Sequence, residues 1–307
     1  MHMEDAGALR PHLFCNPGQV CFLLPSENLL EYRPLSFQNR SFVMLIDAHV
    51  HMFSEKIAQK ALTNLANICK SPYFTNGTLS DTKEKLKSWG VDAAMAMNIA
   101  TKPSQQTVVN NWAASIDDPN IYSFGSIHPD APDALDELQR IKDLGLYGVK
   151  LHPDYQGFLI DDPKMFPIYD AISSLGLPVT FHTGWDPLSP DLIHATPQAV
   201  AKVVKLFPHM TVIAAHMGGM ARYQEAEEYV AGLPLYIDTA MSARLCSPEQ
   251  FERLVSKHGS ERVLFASDCP WSRSCDEFAF IERTHLTDRE KENIYYKNAQ
   301  RVLGLSQ

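Results

Sequence analysis

Two histidines stand two residues apart, His49 and His51, in the segment Asp47-Ala48-His49-Val50-His51, directly after the apolar run Phe42-Val43-Met44-Leu45-Ile46. A run of that length and branching suits a strand buried on both faces. Side chains two apart on a strand point the same way, so both imidazoles converge at the strand's end. Neutral imidazole is a ligand for zinc and its neighbours in the first transition row, and the pair supplies two of the roughly four ligands such an ion takes. A strand that merely ends in two partly exposed polar residues is the plainer reading of a lone His-x-His. Recurrence along the chain decides against it.

Further apolar runs finish in His128, in Lys150 and His152, in His182, in His216 and in Asp268. Of the 12 histidines, six (His49, His51, His128, His152, His182, His216) occupy such ends, and six (His2, His12, His194, His209, His258, His285) do not. His49, His51 and His182 with Asp268 make three imidazoles and one carboxylate, a set suited to a divalent metal, zinc first, that keeps a position open for water. A metal so held lowers the pKa of its water, and Asp268 could both ligate and accept the proton. The competing reading of Asp268 is an N-cap or turn residue in Ser267-Asp268-Cys269-Pro270. His216, ahead of Gly218-Gly219, reads as a second metal ligand or as an imidazole that polarises a substrate oxygen.

These residues need elements to carry them. From residue 43 the chain alternates short apolar strands with amphipathic helices: strands at 91–99, 121–128, 146–152, 177–182, 210–216, 235–238 and 262–266 follow the first one. Helices are expected at 54–69, before Trp89, and from about Ser104, Ala131, Pro163, Pro197, Gly219, Pro248 and Thr287, the last running to Leu303. Eight strand and helix units without a hairpin signal point to an α/β fold, a parallel (β/α)8 TIM barrel. In such a barrel the carboxyl ends of the strands form the face that carries chemistry, where the polar residues above fall. Residues 1–42, rich in proline and without clear period, read as an irregular extension before a barrel domain over 43–307; Met44 at the first strand raises the alternative that translation begins there.

A formal net charge of -9 with no basic run argues against nucleic acid or an anionic membrane as partner and for a small-molecule substrate. No apolar run reaches the roughly 18 residues of a membrane span, and the start lacks the pattern of a signal peptide, so a cytoplasmic location is expected. The six cysteines show no Cys-x-x-Cys spacing and read as reduced thiols. A homo-oligomer is compatible with all of this.

Asp47-Ala48-His49-Val50-His51, Gly148-Val149-Lys150-Leu151-His152-Pro153, Phe181-His182-Thr183-Gly184, Ala215-His216-Met217-Gly218-Gly219 and Ala266-Ser267-Asp268-Cys269-Pro270 together resemble the amidohydrolase superfamily. The closest branch is the amidohydrolase-related group that includes aminocarboxymuconate-semialdehyde decarboxylase and related aromatic-acid decarboxylases. The resemblance covers about residues 44–304 and implies a distorted eight-stranded barrel with a metal on His49, His51, His182 and Asp268, and with His216 catalytic or on a second metal. In binuclear members a carboxylated lysine ends the fourth strand and bridges two metals, and Lys150 stands at that place. The decarboxylase branch generally lacks that lysine and uses one metal. Lys150 paired with a buried carboxylate is the alternative, so one or two ions remain open.

Candidates for substrate contact are His152, which shares a strand face with Lys150, and Tyr155, Trp185, Arg222, Trp271 and Arg273 on loops after strands four, five, six and eight. An arginine there could grip a substrate carboxylate. The expected function is a metal-dependent hydrolase of an amide, lactone or ester-like bond in a small molecule. The alternative is a metal-dependent, non-oxidative decarboxylase of a small unsaturated or aromatic carboxylic acid, and a third reading is a metal-binding barrel without turnover.

Overall fold

A computed structural model of the chain describes residues 44–305. The expected irregular extension, with Phe42 and Val43, lies outside the described residues. Eight parallel strands follow in order: β1 (Ile46–Val50), β2 (Ala93–Met97), β3 (Ile121–Phe124), β4 (Val149–Leu151), β5 (Val179–Phe181), β6 (Val212–Ala214), β7 (Tyr236–Asp238) and β8 (Val263–Leu264). They form two sheets, β1-β2-β3 and β4-β5-β6-β7-β8. Tyr122 and Tyr236 are half-buried and every other strand residue is buried, as a sheet covered on both faces requires.

Backbone hydrogen bonds join the sheets at both edges. Between β3 and β4 the Gly125 amide donates to the Gly148 carbonyl (2.9 Å) and the Lys150 amide to the Gly125 carbonyl (2.8 Å). Between β1 and the chain around β8, Ala48 donates to Phe265 (2.8 Å), Asp268 to His49 (2.9 Å) and His51 to Cys269 (2.6 Å). The pairing of β1 with β2 slips register between Asp47 and Val50, so the strand that carries the two histidines is irregular where they fall.

The strands are shorter than the apolar runs suggested. β1 begins at Ile46 and includes His49, whereas His51, His152, His182, His216 and Asp268 lie just past strand ends. The chain must leave the ladder there for side chains from five strands to meet at one place, so hydrophobicity outlasts regular pairing.

Helices begin where caps dictate. Thr196 accepts from the Ala199 amide at the start of Pro197–Leu206, and Ser247 accepts from Gln250 at the start of Pro248–His258, each with proline in its first turn. Thr287 and Glu290 form a capping box at the start of Asp288–Glu292. The helix expected from Gly219 is reduced to Tyr223–Glu225 with a π-turn, Ala226–Val230, and a helix at Ser274–Glu282 was not expected. Among the described residues no helix is long and apolar enough to cross a membrane.

Candidate metal centre

His49 is buried at the end of β1. Its Nδ1 donates to Asp238 Oδ2 at 2.9 Å, and Lys150 Nζ lies 3.1 Å from its Nε2. An ammonium only donates, so Nε2 of His49 is the lone-pair nitrogen. His51 Nδ1 lies 2.8 Å from the carbonyl of Met97. A carbonyl only accepts, so Nδ1 carries a proton, and the tautomer this selects presents the Nε2 lone pair 3.2 Å from Asp268 Oδ1.

His182 and His216, past the ends of β5 and β6, are linked to each other. His216 Nδ1 donates to the Ala240 carbonyl (3.2 Å), and in the tautomer this selects its Nε2 accepts from His182 Nδ1 at 3.1 Å. Nε2 of His182 is then a buried lone pair, and it has no hydrogen-bond partner. The tautomers that these partners select leave Nε2 of His49, His51, His182 and His216 without a proton, and the acceptors on Nδ1 of His49 and His51 are of the kind that orients histidines for a metal.

Two glycine-level and backbone features bring these loops together. A Cβ on Gly184, at φ 90°, would lie 2.0 Å from the Met220 amide nitrogen, so glycine is needed for the loop after His182 to meet the loop after His216. Asp268 (φ 69°), His216 (φ 57°) and Met217 (φ 56°) occupy the left-handed region, uncommon for non-glycine residues and costly unless the surroundings enforce it.

Burial and the neighbouring Lys150 hold His49 well below the usual imidazole range, and burial with the adjacent His216 does the same for His182. Burial pushes the Asp268 carboxyl up, but the polar imidazoles of His51, His49 and His216 around it outweigh that and leave the group below its ordinary value. Lys150 is fully buried and is pushed down to about 8 by desolvation, against the pull of Asp238 and Asp268. Among the described residues no carboxylate lies within ion-pair distance of its ammonium, whose hydrogen-bond partner is the His49 imidazole.

Donor atoms of His49, His51 and Asp268 all lie within 4.8 Å of one another, and so, separately, do those of His152, His182 and Asp186. His182 thus falls in a second group instead of joining the first as the four-residue set supposed. That second group does not suit an ion as it stands. The rings of His152 and His182 are stacked, centroids 4.2 Å apart and planes within 9°, so their in-plane lone pairs cannot meet at one point. His152 Nδ1 also accepts from the Tyr155 amide (3.4 Å), which places its proton on Nε2, 3.6 Å from Asp186 Oδ2. The first group fits a divalent cation by donor type: the Nε2 atoms of His49 and His51 and a carboxylate oxygen of Asp268 lie together, with the Lys150 ammonium 3.1 Å from His49 Nε2.

Other expected contacts fare differently. Tyr155 stacks on His152 (3.8 Å, 17°), and Trp185 is half-buried with its amide on the Met220 carbonyl. Arg222 is exposed and paired with Glu225. Arg273 is held by Asp276 through two bonds (2.7 and 2.8 Å) and lies 5.3 Å over Phe74. His128 is buried, its Nδ1 accepting from Asp130, apart from the histidine cluster. Asp238 and Asp186 are site residues that the sequence motifs do not mark. Asp238 ends β7, the same position that singled out the histidines, and Asp186 follows His182 by four; burial pushes Asp186 up to about 7.

No curated protein matches the chain. Among solved structures, an uncharacterized TIM-barrel protein from Bordetella bronchiseptica aligns with TM-score 0.71 and 20% identity, over 85% of this chain and 99% of that one. The 5-carboxyvanillate decarboxylase of Sphingomonas paucimobilis aligns with TM-score 0.65 and 16% identity, over 86% and 100%. A dihydroxybenzoic acid decarboxylase from Polaromonas, solved with bound manganese and the inhibitor 2-nitroresorcinol, aligns with TM-score 0.65 and 15% identity, over 87% and 98%. These likenesses identify the fold as a TIM barrel. The family model described as amidohydrolase matches residues 46–305, and this chain belongs to that family.

Proposed function

We propose that this chain is a divalent-metal-dependent, non-oxidative decarboxylase of a small aromatic or unsaturated carboxylic acid. The observation that carries the metal part is the convergence of the His49 and His51 Nε2 atoms on the Asp268 carboxylate, 3.5 and 3.2 Å from its Oδ1. His49, His51, His182 and Asp268 are the residues that would hold the ion. Once bound, a divalent cation supplies Lewis-acid stabilisation of negative charge on a substrate oxygen. Donor type favours zinc, whereas the Polaromonas enzyme was solved with manganese, so metal content of the purified protein is the arbiter.

The decarboxylase part leans on the aromatic-acid decarboxylases among the structural neighbours and on the stack of Tyr155, His152 and His182, a flat wall suited to a planar substrate. Replacing a ring carboxylate by hydrogen breaks one carbon–carbon bond, releases carbon dioxide and takes up one proton at the vacated carbon. Asp268 and His216 are the groups proposed to hold that proton. A second reading, hydrolysis of an ester-like or amide bond, draws on the family's description and on buried Lys150 beside His49. There Asp268 would take a proton from attacking water and return it to the leaving group, and His216 would stabilise charge on the oxygen.

Incubation of the manganese-loaded protein with 5-carboxyvanillate and with a dihydroxybenzoate in deuterated water separates the two. Carbon dioxide release with one deuterium at the vacated ring carbon supports the proposal. Turnover of lactones or aryl esters with no carbon dioxide from either acid replaces it with the hydrolytic reading.

A further inference from the structure

Asp47 is wholly buried and none of the roles above uses it. Its Oδ1 accepts from the His49 amide (3.1 Å) and the Ser267 amide (3.0 Å), and its Oδ2 accepts from the hydroxyls of Ser267 (2.6 Å) and Ser274 (2.7 Å). The Ser267 hydroxyl in turn accepts from the Cys269 amide (3.0 Å). Asp268 is therefore bracketed on both sides in sequence by groups tied to one carboxylate on β1. The Asp268 amide itself donates to the His49 carbonyl (2.9 Å).

This seam needs such a device. Between β1 and the chain after β8 there is a single isolated bridge, Val50 with Cys269, in place of a ladder. Asp268 holds a left-handed backbone (φ 69°) that an aspartate keeps only when its surroundings over-determine it. We infer that Asp47 is a positioning residue, a buried clamp that sets the left-handed turn at Asp268 and its separation from His49 and His51. The inference rests on the metal reading above for its consequence, since the clamp fixes the two strand ends that carry proposed ligands. It does not touch an ion or substrate itself.

The test is manganese titration of Asp47→Ala, Asp47→Asn and wild type, read as affinity per folded molecule, with hydrogen exchange at the Asp268 amide in parallel. Asp47→Ala is expected to bind manganese about 10- to 100-fold more weakly, the scale for outer-shell partners of a metal site. Asp47→Asn keeps an oxygen for the two amides and should recover most of that loss, which a merely destabilising change would not produce. Equal affinity in Asp47→Ala, or no recovery in Asp47→Asn, overturns the inference. If Asp47→Ala does not fold, the Ser267→Ala/Ser274→Ala protein leaves Oδ2 without donors and should bind about tenfold more weakly; unchanged affinity there overturns it equally. Should wild type take up no manganese, the metal reading fails by itself, and exchange decides the clamp: faster exchange at the Asp268 amide in the variants upholds it and unchanged protection rejects it.

Discussion

Nε2 of His51 and Oδ1 of Asp268 face each other at 3.2 Å while the Nδ1 proton of His51 is committed to the Met97 carbonyl. With its lone pair at Nε2, the ring and the carboxylate repel unless a proton or a metal cation lies between them. The site is in this sense built around a positive charge that its own side chains do not supply in full.

Asp268→Asn keeps the shape and one oxygen but cannot accept a proton. We expect it to retain part of the metal yet lose about a hundredfold or more in turnover, the usual scale for a positioned acid or base. Steady-state rates on metal-loaded protein check this, and near wild-type turnover would move the proton-handling role to His216.

Asp238 fixes the His49 tautomer through Oδ2 and receives the His216 and Ala240 amides on Oδ1 (2.8 and 3.1 Å). Asp238→Ala should weaken metal binding by about 10- to 100-fold, measured by competition with a chelator, because His49 then loses the acceptor that keeps Nε2 proton-free. An unchanged chelator midpoint would contradict that coupling.

Lys150 has an imidazole, not a carboxylate, as its hydrogen-bond partner. On the one-ion reading Lys150→Ala keeps about one metal per chain, and elemental analysis should find no second equivalent in wild type. A fall from about two ions to one or fewer, with rescue by bicarbonate, would establish the carboxylated bridge.

The barrel and the histidines were legible because both rest on period and position: apolar runs that end in a polar side chain at one face. Asp47 and Asp238 were not, since a carboxylate inside or ending a strand carries no local pattern that tells an outer-shell partner from a turn residue. His128 ended an apolar run like the others yet lies apart from the cluster, because the regular strand stops at Phe124 and the chain turns before reaching it. The division of the four expected ligands between two clusters depends on ring stacking of His152 on His182, a contact between strands that sequence spacing does not encode. Arg222 and Arg273 attracted notice as carboxylate grips, but each has its own acid three residues on.

Away from the site, His258 is buried with Nε2 donating to the Leu235 carbonyl (3.0 Å) and Nδ1 accepting from Gly232 (3.2 Å), and burial lowers its pKa from 6.5 to about 4. The unfolded chain thus binds the extra proton first. The contribution is full above pH 6.5, falls as pH drops from about 6.5 towards 4 and is gone below that, on the order of 3 kcal/mol in all. Urea unfolding between pH 7 and 4 should show a flatter decline in His258→Asn than in wild type; parallel declines would remove His258 from the acid response.

His49, His51 and Asp268, with His182 as the proposed fourth ligand, are expected to hold one divalent cation. Anomalous scattering at the manganese edge from crystals of the loaded protein tests it directly. A single peak bonded to those residues is expected, and its loss in the His49→Ala/His51→Ala protein. A peak held elsewhere, or full occupancy in the double variant, would contradict the account.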